Sequence, residues 1–243
     1  MSVLLYSAPK EKYIDHIDKC IEKFRVIYPV FSETILRVFD LKNQISPEEL
    51  REYFLKMIWF HDLGKLSKKW QLNIGTGSKL PSHSTIGAAY LWNILPNGIK
   101  EPVGFAVAIH HTDRGLLGDN IERPDIQAIL DNIVYPNGNI EWHNEAENLI
   151  DYFPDDASKI NVNLLKEMAR GLRFWAKGCK LLEQHKRRIQ TSLAHHILKL
   201  CDISAATERS EYKKQDEQDY YGGWLMVSKI ENYVKAIIER TRE

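Results

Sequence analysis

Apolar residues recur along this chain at three- and four-residue intervals, the period of helices buried on one side. The pattern is plainest after Ser46-Pro47-Glu48-Glu49, a capping box with proline at the first helical position, which predicts a helix beginning at Pro47. Leu50, Phe54, Met57, Ile58 and then Phe60 form its inward stripe, and Gly64 is placed to end or bend it. Ser82 can cap a helix that enters at His83 and runs to about Leu95. Pro102 starts another that runs to His110-His111, with Val103, Ala106 and Val107 inward. A long helical region follows Asn161, breaks near Gly171 or Gly178, and continues through Leu193, Ile197, Leu200 and Cys201. After a loop over 211–224 comes a last amphipathic helix, whose stripe should pack on the core. Strand signals are confined to about residues 2–6. The expected fold is all-α, a helical bundle. With no repeat, low-complexity tract or long linker, residues 1–243 read as a single domain.

Composition narrows the class without naming a function. Hydrophobic residues make up 44% and charged residues 27%, the balance of a globular protein rather than a disordered one. Lys plus Arg and Asp plus Glu are 33 each, so any nucleic-acid contact must come from a local patch. Cys20, Cys179 and Cys201 are odd in number and lack the C-x-x-C spacing of a zinc finger, so reduced thiols in the cytoplasm are expected. The start of the chain lacks a secretory pattern, and the longest apolar run, Val103 to Ile109, is far below a membrane span. A cytoplasmic location without membrane contact is the expectation.

Candidate chemistry gathers in five short segments: His16, His61-Asp62, His83, His110-His111 and Asp202. Imidazole and carboxylate in this ratio suit a hydrolytic centre holding one or two divalent ions. Each segment has a bland structural explanation when taken alone. His61-Asp62 is a short motif, but the string His61-Asp62-Leu63-Gly64-Lys65 is specific, and Lys65 is spaced to reach a phosphate oxygen from the same face. Asp202 sits in an apolar setting, among Leu198, Leu200, Cys201 and Ile203, where a carboxylate is costly unless it is paired or metal-bound. Adjacent histidines diverge by about 100° on a helix, so His110 and His111 can converge only at a frayed end. His195, seven residues before Asp202, is a possible supporting partner, while His143 and His185 read as surface residues. GTGSKL at 75–80 fails the phosphate-loop spacing. For nucleic acid, the candidates are Lys65, Lys68, Lys69 and Trp70, with Arg114 in a loop over 113–124 and a solvated basic run at 186–188.

The order H…HD…H…HH…D, from about Tyr13 to Ala206, resembles the HD phosphohydrolase superfamily. Within it, the chain is similar to the HD nuclease of type I CRISPR interference in its standalone form, without a fused helicase. The likeness rests on an early His in LLYSAPKEKYIDHI, on WFHDLGKLSKKWQ with its Gln71, on HSTIGAAYL, on the later His doublet, and on the Asp of LKLCDIS. Where that family often has a Ser four residues after the last Asp, this chain has Ala206. The resemblance implies an HD-domain bundle with a metal site in its core. His16, His61, Asp62 and Asp202 would hold one ion and His83, His110 and His111 the other, with Asp62 bridging and Lys65 assisting. It implies Mn²⁺ or Mg²⁺, and the His-rich shell extends the choice to Co²⁺, Ni²⁺ or Fe²⁺. A metal-activated water would cut single-stranded DNA, endo- or exonucleolytically, with a separate helicase subunit and an RNA-guided interference complex as partners. The alternative is an HD-type nucleotide phosphohydrolase.

Overall fold

In a computed structural model the chain is described over residues 4–39, 45–78, 80–81, 83–111, 137–177, 180–208 and 223–240. The expected Ser82 cap, Gly178, Cys179, Arg114 and the loop over 113–124 lie outside these residues. The described part is helical, as the periodicity requires. Its helices are α1 (Tyr13–Phe39), α2 (Pro47–Phe60), α3 (Lys68–Asn73), α4 (Ser84–Ile94), α5 (Lys100–Ala108), α6 (Val162–Lys177), α7 (Leu181–Thr207) and α8 (Gly223–Arg240). The bundle is framed by two 27-residue helices, α1 and α7, which pack along one another. Helix α5 lies against both α4 and α7, and α2 packs on α1.

Local sequence explains where several elements begin. The Ser46 side chain accepts from Glu49 N at 3.1 Å, and Glu49 Oε2 accepts from Ser46 N at 2.9 Å, so both halves of the capping box form. Leu50, Phe54, Met57 and Ile58 are then fully buried. Pro102 falls in the first turn of α5 rather than at its start, still where a missing N–H costs nothing. In α8, Val234 and Ile237 are buried against the bundle.

Three expectations need revision. The strand signal becomes an antiparallel pair, β1 (Tyr6–Ala8) with β2 (Glu11–Lys12), held by a buried Ser7 Oγ to Glu11 Oε2 bond of 2.8 Å rather than by apolar alternation. Gly171 does not break α6. It is glycine because a Cβ there would meet the Trp92 ring at 2.3 Å. Gly64 likewise has no left-handed φ. It lies in a 3-10 turn, Leu63–Leu66, where a Cβ would stand 2.3 Å from His83 O. Gly87 in α4 is as tight, at 2.2 Å from Phe60 O and 2.7 Å from His61 O. These two glycines let the end of α2 and the start of α4 touch backbone to backbone. That contact brings His61-Asp62 beside His83.

Candidate metal centre

All seven predicted ligands converge. His16 comes from the first turn of α1, and Asp202 from near the end of α7. His61 is the C-cap of α2, Asp62 opens the 3-10 turn, and His83 is the N-cap residue of α4. Helix α5 stops at Ala108, so His110 and His111 lie beyond its end, which frees the adjacent pair to point the same way. Ser84 Oγ donates to Ala108 O at 3.1 Å and ties this end to α4, while Lys199 Nζ donates to His110 O at 3.0 Å.

The carboxylate of Asp62 divides the centre in two. Its Oδ2 faces His16 Nε2 at 3.3 Å and His61 Nε2 at 3.4 Å. Asp202 Oδ1 closes the same side, 3.3 Å from His16 Nε2 and 3.9 Å from His61 Nε2. The other oxygen, Oδ1, faces His83 Nε2 at 3.0 Å and His110 Nε2 at 3.6 Å. His111 Nε2 joins that second side, 2.6 Å from His83 Nε2, a hydrogen bond in which one ring carries the shared proton.

These residues fit divalent metal. Two donors about 2.1 Å from one ion stand roughly 3.0–3.5 Å apart at octahedral or tetrahedral angles. This matches three of the four imidazole distances to Asp62, with His110 just beyond at 3.6 Å. The ring orientations agree. His61 Nδ1 lies 2.7 Å from Ile58 O and His110 Nδ1 lies 2.6 Å from Val107 O. A proton on each Nδ1 leaves Nε2 with its lone pair aimed inward. Both Nε2 atoms are buried with no hydrogen-bond partner, a costly state that an ion relieves.

Charge is arranged to keep the ligands ready. Burial alone would raise the Asp62 carboxyl, but His61, Lys65, His110 and His16 outweigh it and hold it well below the usual carboxylate range. Asp202 is held low in the same way by His16 and His61, against its burial. Burial would lower His16, yet Cys20, Asp202 and Asp62 hold it well above its ordinary value. Burial pushes His83 down to about 4, with Asp62 opposing and Lys65 and His110 adding to the drop.

Other predicted residues are placed differently. Lys65 is 6% exposed and turned onto Asp62 Oδ2 at 2.6 Å, with its ammonium 5.5 Å from the Trp70 ring centroid. Trp70 is 5% exposed and meets His83 edge-on, so it walls the centre instead of offering the open stacking face expected of it. The chain turns back after the 3-10 segment, which buries the one aromatic of LSKKWQ. Lys68 and Lys69 are exposed, and Lys68 pairs with Glu141 at 2.6 Å. His195 is half-buried and hydrogen-bonded to the backbone of Ile109, outside the ligand groups. His185 is exposed, and His143 is half-buried, its ring accepting from Glu145 N.

Two contributors, Glu11 and Cys20, escaped sequence reasoning, and Gln71 enters it only as part of the family likeness. Glu11, 6% exposed, places Oε2 3.5 Å from His16 Nδ1, the position of a carboxylate that orients a metal-binding imidazole. Gln71 laces β1 to the 3-10 turn, donating to Tyr6 O at 2.9 Å and Lys65 O at 2.7 Å while accepting from Tyr6 N at 3.0 Å. Cys20 stands with His16, His61 and Asp202, their ligating atoms all within 4.8 Å of one another. The signal for Cys20 was its spacing, one turn after His16.

No family model matches the chain, and no curated protein does either. Among solved structures, it is similar to the CRISPR-associated Cas3 HD domain protein of Methanocaldococcus jannaschii, with a TM-score of 0.63 and 20% identity. The match covers 81% of this chain and 100% of that one. The chain shares the fold of that HD domain, with its His/Asp cluster where the bundle's helix ends meet.

Proposed function

We propose that this protein is a metal-dependent nuclease that cleaves single-stranded DNA in CRISPR interference. The observation that carries the reading is the division of seven ligands into two sets by the two oxygens of Asp62. His16, His61, Asp62 and Asp202 would hold one divalent ion and His83, His110, His111 and Asp62 a second. The ions would supply an activated water and neutralise charge on the phosphodiester. Asp62 stays ionised because Lys65 and the surrounding imidazoles favour its charge. The Lys65 ammonium, already at the centre, is placed to offset negative charge arriving on a phosphate oxygen. His111 is exposed, so the second set opens to solvent and admits a strand from outside, while the first set is buried behind it. Exposed Lys68 and Lys69 would help draw in a polyanion, with Arg114 proposed from the sequence as a further contact. The likeness to a CRISPR-associated HD protein supports the biological setting, with a separate helicase and an RNA-guided complex as partners in the cytoplasm. No described helix is long and apolar enough to cross a membrane.

Cleavage of circular single-stranded DNA with Mn²⁺ tests the reading, with free nucleotides as competing substrates. Linear products that vanish in Asp62→Ala are expected. An intact circle beside hydrolysed nucleotides would overturn it in favour of a nucleotide phosphohydrolase.

A further inference from the structure

Cys20 is fully buried on α1, one turn after His16, so the two side chains share a helix face. Its Sγ lies 3.7 Å from His16 Nε2 and belongs to a compact group with His61 and Asp202. Buried thiols usually act as small apolar side chains, and Cys201 is a comparison within the same core. It is equally buried, next to Asp202 in sequence, yet stands outside both ligand groups. Cys20 instead faces donors that lack partners, since the buried His61 Nε2 has no hydrogen bond. The distance is also suited to sulfur. With a metal–nitrogen bond of about 2.1 Å and a metal–sulfur bond of about 2.3 Å, two ligands about 110–120° apart stand roughly 3.6–3.8 Å from one another.

We propose that the Cys20 thiolate is a ligand of the first ion, giving that set one sulfur, two nitrogens and two carboxylate oxygens, one of them from the bridging Asp62. Soft sulfur adds to the preference of the first set for Zn²⁺ or Co²⁺ over Mn²⁺ and Mg²⁺, while the second set, all imidazole and carboxylate, lacks that added preference. On binding, the S–H bond breaks, an S–metal bond forms and the proton leaves to solvent. No electron is transferred. The inference rests on the metal-centre reading but is independent of the substrate.

The test is a Co²⁺ titration of the metal-stripped full-length protein, followed by absorbance. Wild type should develop an intense thiolate-to-cobalt charge-transfer band in the near ultraviolet that saturates at one equivalent. Cys20→Ser should lose that band, keep the weaker ligand-field bands, and lose roughly tenfold in preference for Zn²⁺ over Mn²⁺. Cys201→Ser should keep both features. Ligand-field bands without a thiolate band in wild type, or a thiolate band that survives Cys20→Ser, would overturn the proposal. If Cys20→Ser fails to fold, X-ray absorption on zinc-loaded wild type decides, through a sulfur neighbour at about 2.3 Å or its absence. Because no substrate is involved, inactivity on DNA leaves this result standing, and a missing thiolate band leaves the nuclease reading standing.

Discussion

The two halves of the centre are built from different material. The His16 half takes His16 and Asp202 from the long helices α1 and α7 and His61 from the end of α2, is supported from behind by Glu11 and the β1–β2 hairpin, and keeps His16 and His61 at 0% exposure. The His83 half is made of chain ends: the N-cap of α4 and two residues beyond α5, with His111 exposed. A site on rigid elements holds its geometry, and one at helix ends adapts and admits ligands. On the proposed reading, the buried half would retain an ion and the more open half would exchange ions and meet substrate.

The largest effect is expected where the halves share a residue. Asp62→Ala removes one donor from each set and leaves His61 and His110 buried and unpaired. Metal content should fall at both positions, and cleavage should drop by about a thousand-fold or more, the scale of losing several kcal/mol of metal stabilisation. Metal analysis beside a cleavage assay checks it. An Asp62→Ala protein that retains one full equivalent of metal would show that the carboxylate does not bridge.

Glu11→Gln separates the halves. Its carboxylate faces His16 Nδ1 and no ligand of the other half, so the first ion should bind about 10–100-fold more weakly with the second unchanged. Isothermal titration with a site-resolved fit measures this, and equal weakening of both would erase the asymmetry. His110 in the second half is oriented at Nδ1 by a backbone carbonyl instead, as His61 is in the first.

The contrast also explains what could be read in advance. The capping box and stripe of α2 were legible because both are set within a few residues. The residues of the cluster were legible because charged and imidazole groups stand out among apolar neighbours. Glu11 and Cys20 were not, since their roles depend on what α7 and the end of α2 bring to α1. The burial of Trp70 was hidden for the same reason. It follows from the return of the chain at Gln71, which bonds to Tyr6 sixty-five residues away in sequence. The close approach behind Gly64 and Gly87 was equally invisible, because either glycine reads in sequence as a helix breaker.

Gly87→Ala tests how the halves are joined. The added methyl would meet backbone, Phe60 O at 2.2 Å and His61 O at 2.7 Å, so α2 and α4 must part. A loss of about 1–3 kcal/mol is expected from overpacking, read as a lower urea midpoint. Separation of His61 from His83 should reduce cleavage further than the stability loss explains. Unchanged stability would mean that the helix ends can slide apart freely.

The smallest effect is one of pH, and it opposes the halves directly. His16 sits well above its ordinary value, so its stabilisation of the metal-free protein is full below about pH 6.5 and is lost as pH rises through the raised value. His83, pushed down to about 4, runs the other way: its contribution is full above about pH 6.5 and is lost as pH falls toward 4. At neutral pH, an ion entering the first half must therefore displace the His16 proton, whereas His83 is already free to bind. Loss of the His16 proton alone should raise first-half affinity by up to tenfold per pH unit from about pH 6 to pH 8, with the His83 contribution to the second half nearly flat. A bound Cys20 thiolate adds its own proton to the first-half slope. Mn²⁺ titrations across that range separate the two slopes. If both rise together, His16 and His83 share one protonation state, and the buried half has no electrostatic identity of its own.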